Sequence, residues 1–212
     1  MSHDIRLVVF DFDGVMIDFE PQLRLQFLER LTGRPAADIH AAIWGSDFER
    51  GAEAGAYRTG DAYLAAFNER LGYQLSRDQW VAARRSAMRL RPDMVDYARS
   101  LSERVRLALL TNNGALLHEA LPELVPEVCG VFTKNLHASY EFGARKPDPL
   151  VFTRLLEHCR VPARQAVFVD DDSQFIQGAI SAGMHGIHFQ NLPTLRAALE
   201  PMLSSLSLYS AT

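Results

Sequence analysis

A short apolar run that ends in two closely spaced acids constrains the fold of this chain more than any other feature. The run Leu7–Phe10 is typical of a buried strand, and Asp11 and Asp13 follow it just before Gly14. Open α/β sheets place their ligand sites at the carboxyl ends of the strands, so the two acids are predicted to lie at such a site. Because side chains alternate along a strand, both carboxylates would point the same way unless the chain leaves the sheet between them. A turn with solvated acids is the alternative, and the motif alone does not decide.

A second strand-like run, residues 105–110, ends in the sequence Thr-Asn-Asn-Gly at residues 111–114. A helical stretch over residues 115–124 follows it. A hydroxyl, an amide and backbone N–H groups at the start of a helix form a binding corner for an anion. Thr and Asn are also favoured at helix starts for capping alone, and this motif taken by itself favours capping.

A loop at residues 143–149 precedes an amphipathic helix that is predicted to begin near Leu150. Prolines on both sides of its aspartate stiffen the loop. Only two of the 22 basic residues in the chain are lysines, and one of them, Lys146, lies in this loop. A compact ammonium is suited to act as a point charge beside a carboxylate and a phosphate.

A third strand-like run, residues 166–169, is followed by Asp170, Asp171 and Asp172 and then by a helix predicted over residues 173–182. Three adjacent acids at a strand end repel one another unless a cation lies among them. With oxygen ligands and no His or Cys nearby, the set favours Mg²⁺. The helix dipole would explain one or two of the acids without a cation, and the role of Asp172 stays open.

The order of the elements divides the chain into two parts. From Asp93 onward strands and helices alternate, which is the pattern of a parallel sheet with right-handed crossovers. Residues 18–90 show helical periodicity and no buried strand. Helices are predicted there over residues 22–31, 36–49, 61–71 and 76–90. We expect an α/β core, residues 1–17 and 91–212, and an all-helical cap, residues 18–90, joined to it by two short linkers.

Charge and hydropathy exclude several classes of partner. A net charge of −4 argues against a nucleic-acid or membrane surface. No stretch approaches the roughly 18 apolar residues that a membrane span needs, and the N-terminus lacks a signal-peptide pattern. The expected location is the cytoplasm. Cys129 and Cys159 carry no motif and are expected to be small buried apolar residues in a reducing compartment.

The four motifs, taken in chain order, resemble those of the haloacid dehalogenase superfamily of phosphohydrolases. The match consists of D-x-D-G at residues 11–14, T-N-N at 111–113, K-P-D at 146–148 and D-D at 170–171, and it runs from Val8 to about Phe189. Closer details look like the bacterial branch of sugar-phosphate phosphatases such as glucose-1-phosphatase. The resemblance implies a Rossmann-like parallel sheet core with a small all-helical cap inserted after the first strand. It also implies a Mg²⁺-dependent phosphatase that hydrolyses a small phosphorylated metabolite, with a sugar phosphate favoured.

The resemblance implies a role in phosphate chemistry for five residues. Asp11 would be the nucleophile that forms an aspartyl-phosphate, and Asp13 would act as general acid and then base. Lys146, Thr111 and the backbone of Asn112 would hold the phosphate oxygens.

The resemblance also implies a metal site. Mg²⁺ would be held by Asp11, by the backbone carbonyl of Asp13 and by Asp171, with Asp170 supporting the site from beside Asp171.

Two alternative functions share this fold. Carbon–halogen hydrolases resemble the chain in the nucleophile and the lysine but lack the second aspartate, so Asp13 favours phosphate chemistry. A catalytically idle binding or regulatory module is the other alternative, since a fold does not fix an activity. The sequence does not indicate the oligomeric state.

The substrate pocket is expected under the cap. The candidates for contact with substrate are Phe19, Trp44, Arg50, Tyr57 and Arg58. Several aromatic and apolar residues fall on helical spacing, which favours a place in the cap core over a ligand site, and Trp44 belongs to both groups. These residues are Trp44, Phe48, Phe67, Trp80 and Met88.

Overall fold

The structure, a computed structural model, describes residues 4–203. Its strands are β1 Leu7–Phe10, β2 Ile17–Phe19, β3 Met88–Leu90, β4 Arg106–Thr111, β5 Leu136–Ala138, β6 Ala166–Asp170 and β7 His185–His188. The helices that precede β4 are α1 Pro21–Thr32, α2 Ala36–Ile43, α3 Phe48–Glu53, α4 Gly60–Leu71, α5 Arg77–Arg85 and α6 Pro92–Ser102. Those that follow it are α7 Ala115–Leu124, α8 Pro126–Phe132, α9 Pro149–Cys159, α10 Ser173–Ser181 and α11 Leu192–Leu203.

Five strands form a parallel sheet in the order β5-β4-β1-β6-β7. The central strand, β1, is completely buried between β4 and β6. The strands predicted around residues 7–10, 105–110 and 166–169 are therefore confirmed to within a residue. Their carboxyl ends lie side by side, so the polar residues that follow them meet at one edge of the sheet.

Helices cover both faces of this sheet. Val8 and Phe10 of β1 pack into one hydrophobic cluster, whereas Leu7 and Val9 pack into a second one that includes Phe152 of α9. A strand buried on both faces has no polar position, which explains its unbroken apolar sequence. The predicted α/β class with a Rossmann-like parallel sheet is confirmed.

The segment between β2 and β3 is helical, as predicted, but its second helix is interrupted. Residues 36–49 form α2 and α3, separated by a break at residues 44–47. The Ser46 hydroxyl donates to the carbonyls of Ala42 and Ile43, and the Phe48 amide donates to that hydroxyl. Such local side-chain bonds compete with the helical ones and end the helix.

The prediction of a helix over residues 76–90 is wrong at its carboxyl end. Helix α5 ends at Arg85, and Met88–Leu90 instead forms strand β3, which pairs antiparallel with β2. Met88 thus lies in this ribbon and not on a helix. The two partners are 71 residues apart at Asp18 and Arg89, so local periodicity could not reveal the pairing.

Two smaller expectations can be compared with the structure. Cys159 is buried, as expected, whereas Cys129 is only half-buried, and both are free thiols. None of the helices within residues 4–203 has the length and apolar character that crossing a bilayer requires.

Helix α10 approaches the lysine loop closely at a glycine. A Cβ at Gly178 would lie 2.2 Å from the Pro147 carbonyl oxygen, so only glycine fits there without moving the loop.

We predict that Gly178→Ala destabilises the protein and lowers its activity, because the loop that carries Lys146 must shift. The matched control is Gly130→Ala in α8, where a Cβ would meet nothing within 4 Å. Replacing this helical glycine is expected to stabilise the protein by about 0.4–1 kcal/mol. Thermal unfolding of both variants tests this prediction, and equal melting temperatures for Gly178→Ala and Gly130→Ala would contradict it.

Candidate active site

A buried lysine lies between two aspartates at the edge of the sheet. Asp11 directly follows β1, with its amide donating to the Val169 carbonyl at 2.9 Å, and Asp170 is the last residue of β6. The Lys146 Nζ is 2.6 Å from Asp11 Oδ1 and 2.7 Å from Asp170 Oδ2. All three side chains are buried. The structure therefore brings together residues from three of the four motifs.

The side chain of Asn112 fixes the backbone of this lysine. Asn112 Oδ1 accepts the Lys146 amide at 2.8 Å, and Asn112 Nδ2 donates to the Lys146 carbonyl at 2.9 Å. The sequence predicted a phosphate contact for the Asn112 backbone and gave no role to its side chain. A paired amide-to-backbone contact between segments 34 residues apart has no local signature.

The electrostatics of this cluster favour an added cation. Burial raises the pKa of Asp11 to about 8, the Lys146 ammonium opposes that rise, and Asp170 adds to it. Burial also raises the pKa of Asp171, and Asp170 again contributes. Burial lowers the pKa of Lys146, but Asp11 and Asp170 outweigh it, so that the net shift is upward. One ammonium faces three carboxylates, which leaves negative charge uncompensated.

Three of these carboxylates are placed to hold a metal ion together. Asp11, Asp170 and Asp171 each offer an oxygen, and these oxygens lie within 4.8 Å of one another. Gly14 has a φ of +89°, and a Cβ there would lie 2.3 Å from Asp171 Oδ2, so glycine makes room for this carboxylate. An all-oxygen, acidic donor set fits Mg²⁺. Asp170, predicted only to support the site, has its carboxylate in the same group as Asp11 and Asp171.

The carboxylate of Asp13 lies apart from this group and contacts an arginine of α5. Arg84 Nη2 is 2.5 Å and 2.7 Å from the two Asp13 oxygens, and Asn113 Nδ2 lies 3.4 Å away. Arg84 is buried and was missed from the sequence. Its position one helical turn after the buried Trp80, on the apolar stripe of α5, is the signal that could have identified it.

The motif residues open onto a shared cavity of about 320 Å³. Its lining includes the predicted residues Asp11, Asp13, Thr111, Asn112, Lys146 and Asp171. Thr111 is buried, and its hydroxyl accepts from Asn113 Nδ2 at 2.7 Å. Asp172, whose role the sequence left open, accepts the Gln174 amide at 2.8 Å and so caps α10.

Two further lining residues were missed from the sequence. Glu53 at the end of α3 and Arg145 of the lysine loop form an ion pair, with Glu53 Oε2 2.5 Å from Arg145 Nε. Burial raises the pKa of Glu53 to about 7, and Arg145 opposes this rise. The pair joins the helical segment to the core at the rim of the cavity.

The candidates for substrate contact fall into different environments. Phe19 and Trp44 line a second cavity, whereas Arg50 pairs with Asp47 on the surface and Arg58 donates to the Tyr140 carbonyl. Three of the residues expected to be core residues, Phe48, Phe67 and Trp80, are buried in the same hydrophobic cluster as Val8 and Phe10 of β1.

We predict that Lys146→Met destabilises the protein by about 3–5 kcal/mol near neutral pH, because it leaves Asp11 and Asp170 buried without a counter-charge. The loss is expected to be larger at about pH 8 than at about pH 5, since the Asp11 carboxyl, whose pKa burial raises to about 8, is protonated and neutral at the lower pH. Lys134→Met, at the other, exposed lysine, is the matched control and is expected to have little effect. Denaturant unfolding at both pH values tests this, and a loss that does not depend on pH would contradict it.

Comparison with known proteins agrees with this geometry. Over residues 5–183 the chain matches the family model described as haloacid dehalogenase-like hydrolase. It is 27% identical to a protein named as a phosphatase in Mycobacterium tuberculosis, covering 95% of both chains. It is 26% identical to a phosphoglycolate phosphatase of Aliivibrio fischeri, covering 87% of this chain and 84% of that protein.

The fold also matches solved structures. One is a haloacid dehalogenase family enzyme from Bacteroides thetaiotaomicron in complex with magnesium and inorganic phosphate, with a TM-score of 0.73 and 18% identity over 88% of this chain and 94% of that one. The family match, which spans most of the chain and all four motifs, establishes that this protein belongs to the haloacid dehalogenase-like hydrolases.

Proposed function

We propose that this protein is a Mg²⁺-dependent phosphatase that hydrolyses small phosphate monoesters through an aspartyl-phosphate on Asp11. The observation that carries the proposal is the Lys146 ammonium held between Asp11 and Asp170, with Asp171 beside them and Asp13 in the same cavity. A carboxylate can attack a phosphate dianion only where positive charge offsets their repulsion, and this cluster supplies positions for that charge.

The chemistry divides into two steps. In the first, a carboxylate oxygen of Asp11 bonds to phosphorus, the bond from phosphorus to the ester oxygen breaks, and Asp13 gives its proton to the leaving alcohol. In the second, water attacks the same phosphorus, Asp13 takes a proton of that water, and the bond from phosphorus to the Asp11 oxygen breaks, which releases inorganic phosphate and regenerates the Asp11 carboxylate. The Lys146 ammonium offsets the negative charge of the phosphoryl oxygens, and the Thr111 hydroxyl and the Asn112 backbone amide donate hydrogen bonds to these oxygens.

The residues that would hold Mg²⁺ are Asp11 and Asp171, with the backbone carbonyl of Asp13 and the carboxylate of Asp170 as further oxygens at the site. The ion, when bound, supplies positive charge that offsets the repulsion between nucleophile and phosphate. The magnesium and phosphate bound by the Bacteroides enzyme support this assignment by similarity of fold.

The names of the two relatives support phosphate chemistry over carbon–halogen hydrolysis. Both curated relatives described above are named as phosphatases. Asp13, placed in the cavity beside Asp11, supplies the acid that an alkoxide leaving group requires and that a halide does not. Carbon–halogen hydrolysis is the competing outcome in any substrate screen.

We also propose that residues 18–90 act as a cap over a core formed by residues 1–17 and 91–212. Contacts from α3 and α5, through Glu53 and Arg84, reach the catalytic cavity and support this role. A lid over a cavity of this size favours a small phosphorylated metabolite as the substrate, and the resemblance favours a sugar phosphate. The proposed location of the enzyme is the cytoplasm.

The nucleophile has a direct test. We predict that Asp11→Asn lowers kcat for an aryl phosphate by at least a hundredfold, or about 2.7 kcal/mol in the barrier. The substitution removes the attacking carboxylate at nearly constant volume, so the fold is expected to persist. Asp96→Asn, at an exposed aspartate of α6, is the control. Turnover of Asp11→Asn within tenfold of the wild type would place the nucleophile elsewhere.

The metal site has a test that does not depend on turnover. We predict that excess chelator abolishes activity and that Mg²⁺ raises the melting temperature of the wild type, since an ion bound only by the folded state stabilises it. Asp171→Asn is expected to reduce this shift. Asp172→Asn is the matched control, because asparagine caps a helix as well as aspartate does. Full activity in chelator, or equal shifts for both variants, would overturn the assignment.

A further inference from the structure

A second cavity of about 230 Å³ contains one buried charge in an otherwise largely apolar wall. Its lining residues are Phe19, Pro21, Arg24, Leu25, His40 and Trp44. Arg24 is 5% exposed, and its guanidinium stacks between the rings of Trp44 and Trp80, at 4.9 and 4.8 Å from their centroids. The stacking holds the guanidinium flat and fixed at the cavity.

Arg24 lacks a direct anionic partner among residues 4–203. Its Nε and Nη2 atoms have no hydrogen-bond acceptor, and no carboxylate forms an ion pair with it. Two acids, Glu49 and Asp13, act on its charge without pairing with it. Glu49 accepts the Tyr63 hydroxyl at 2.5 Å, and Asp13 pairs with Arg84. A buried guanidinium without an ion-pair partner costs free energy, so a position that retains one is suited to receive an anion from outside the chain.

Arg84 connects this cavity to the catalytic one. Its guanidinium carbon lies 3.9 Å from the centroid of Phe19, which lines the second cavity. Its Nη2 contacts Asp13, which lines the first, while its buried Nε also lacks an acceptor. In space, Arg84 therefore lies between Phe19 at the second cavity and Asp13 at the catalytic one.

This order gives a direction in which a leaving group can extend from the catalytic cavity toward the second one. The alcohol oxygen receives its proton from Asp13, so the rest of the alcohol extends among the neighbours of Asp13. The first of these is Arg84, and beyond Phe19 lies Arg24. Guanidinium groups recognise oxyanions such as carboxylate and phosphate through two parallel hydrogen bonds.

We propose that the substrate carries a second oxyanion on its leaving group, bound by Arg24 and Arg84. The inference rests on the proposed phosphatase function and narrows it. Phosphorylated hydroxy acids, sugar acids and bisphosphates fit the site, whereas neutral sugar phosphates leave Arg24 and the Nε of Arg84 without an acceptor.

The first experiment compares matched substrates with the wild-type enzyme in Mg²⁺. The pairs are 3-phosphoglycerate with glycerol 3-phosphate, 6-phosphogluconate with glucose 6-phosphate, and fructose 1,6-bisphosphate with fructose 6-phosphate. We expect the acidic member of at least one pair to have a kcat/KM at least tenfold higher. The first two pairs measure the effect of a carboxylate as the second oxyanion, and the third pair measures the effect of a second phosphate. No preference in any pair overturns the inference.

The second experiment locates the subsite. Arg24→Met keeps an unbranched apolar side chain between the two tryptophans, and we expect it to reduce the acid-to-neutral ratio of kcat/KM at least tenfold. Arg70→Met is the matched control, since Arg70 also stacks on a cap aromatic ring, Phe48, but lines neither cavity. An unchanged ratio in Arg24→Met means that Arg24 is a stacking residue only and overturns the assignment.

An aryl phosphate separates the two possible failures. If the wild type hydrolyses neither the aryl phosphate nor any member of the panel, the phosphatase function itself fails. If the aryl phosphate is hydrolysed and the acidic members have no higher kcat/KM than their neutral partners, only the second-oxyanion inference fails. Should Arg24→Met not fold, as judged by circular dichroism, the wild-type comparison alone decides.

Discussion

The ammonium of Lys146 between Asp11 and Asp170 is the interaction on which the site depends. Its two partners come from the end of β1 and the end of β6, and the lysine itself lies in the loop before α9, so one buried charge joins three segments that are distant in the chain. Two buried carboxylates at the carboxyl ends of adjacent strands would repel each other without it. Asn112 from the end of β4 holds the lysine backbone and adds a fourth segment to the same point.

Two ion pairs cross from the helical segment to this centre. Arg84 of α5 contacts the proposed acid and base Asp13, and Glu53 of α3 contacts Arg145 beside the lysine. Arg84 and Glu53 are largely buried, so each pair gains more from Coulomb attraction than a surface pair would and costs more to desolvate. A substrate that enters the cavity meets both pairs, which couples the position of the helical segment to the chemistry at Asp11.

Features that depend on local sequence could be predicted, and features that depend on distant contacts could not. The three central strands, the helices after them and the acids at their ends follow from apolar runs and turn residues. The short ribbon of β2 and β3 was missed because neither strand is recognisable without its partner. Arg24, Glu53, Arg84 and the side-chain role of Asn112 were missed because each acts through contacts with other parts of the chain. Lys146 lies beside carboxylates, as expected of a compact point charge, while its contact with phosphate stays a prediction.

The central claim is that Asp11 becomes phosphorylated during turnover. The most direct measurement mixes the enzyme with an aryl phosphate and Mg²⁺, quenches in acid within the first turnover, and maps modified peptides by mass spectrometry. We expect a phosphoryl group on the wild-type peptide that contains Asp11, and none on the corresponding peptide of Asp11→Asn. Hydrolysis without any phosphorylated peptide, or a phosphoryl group on a different residue, would contradict it.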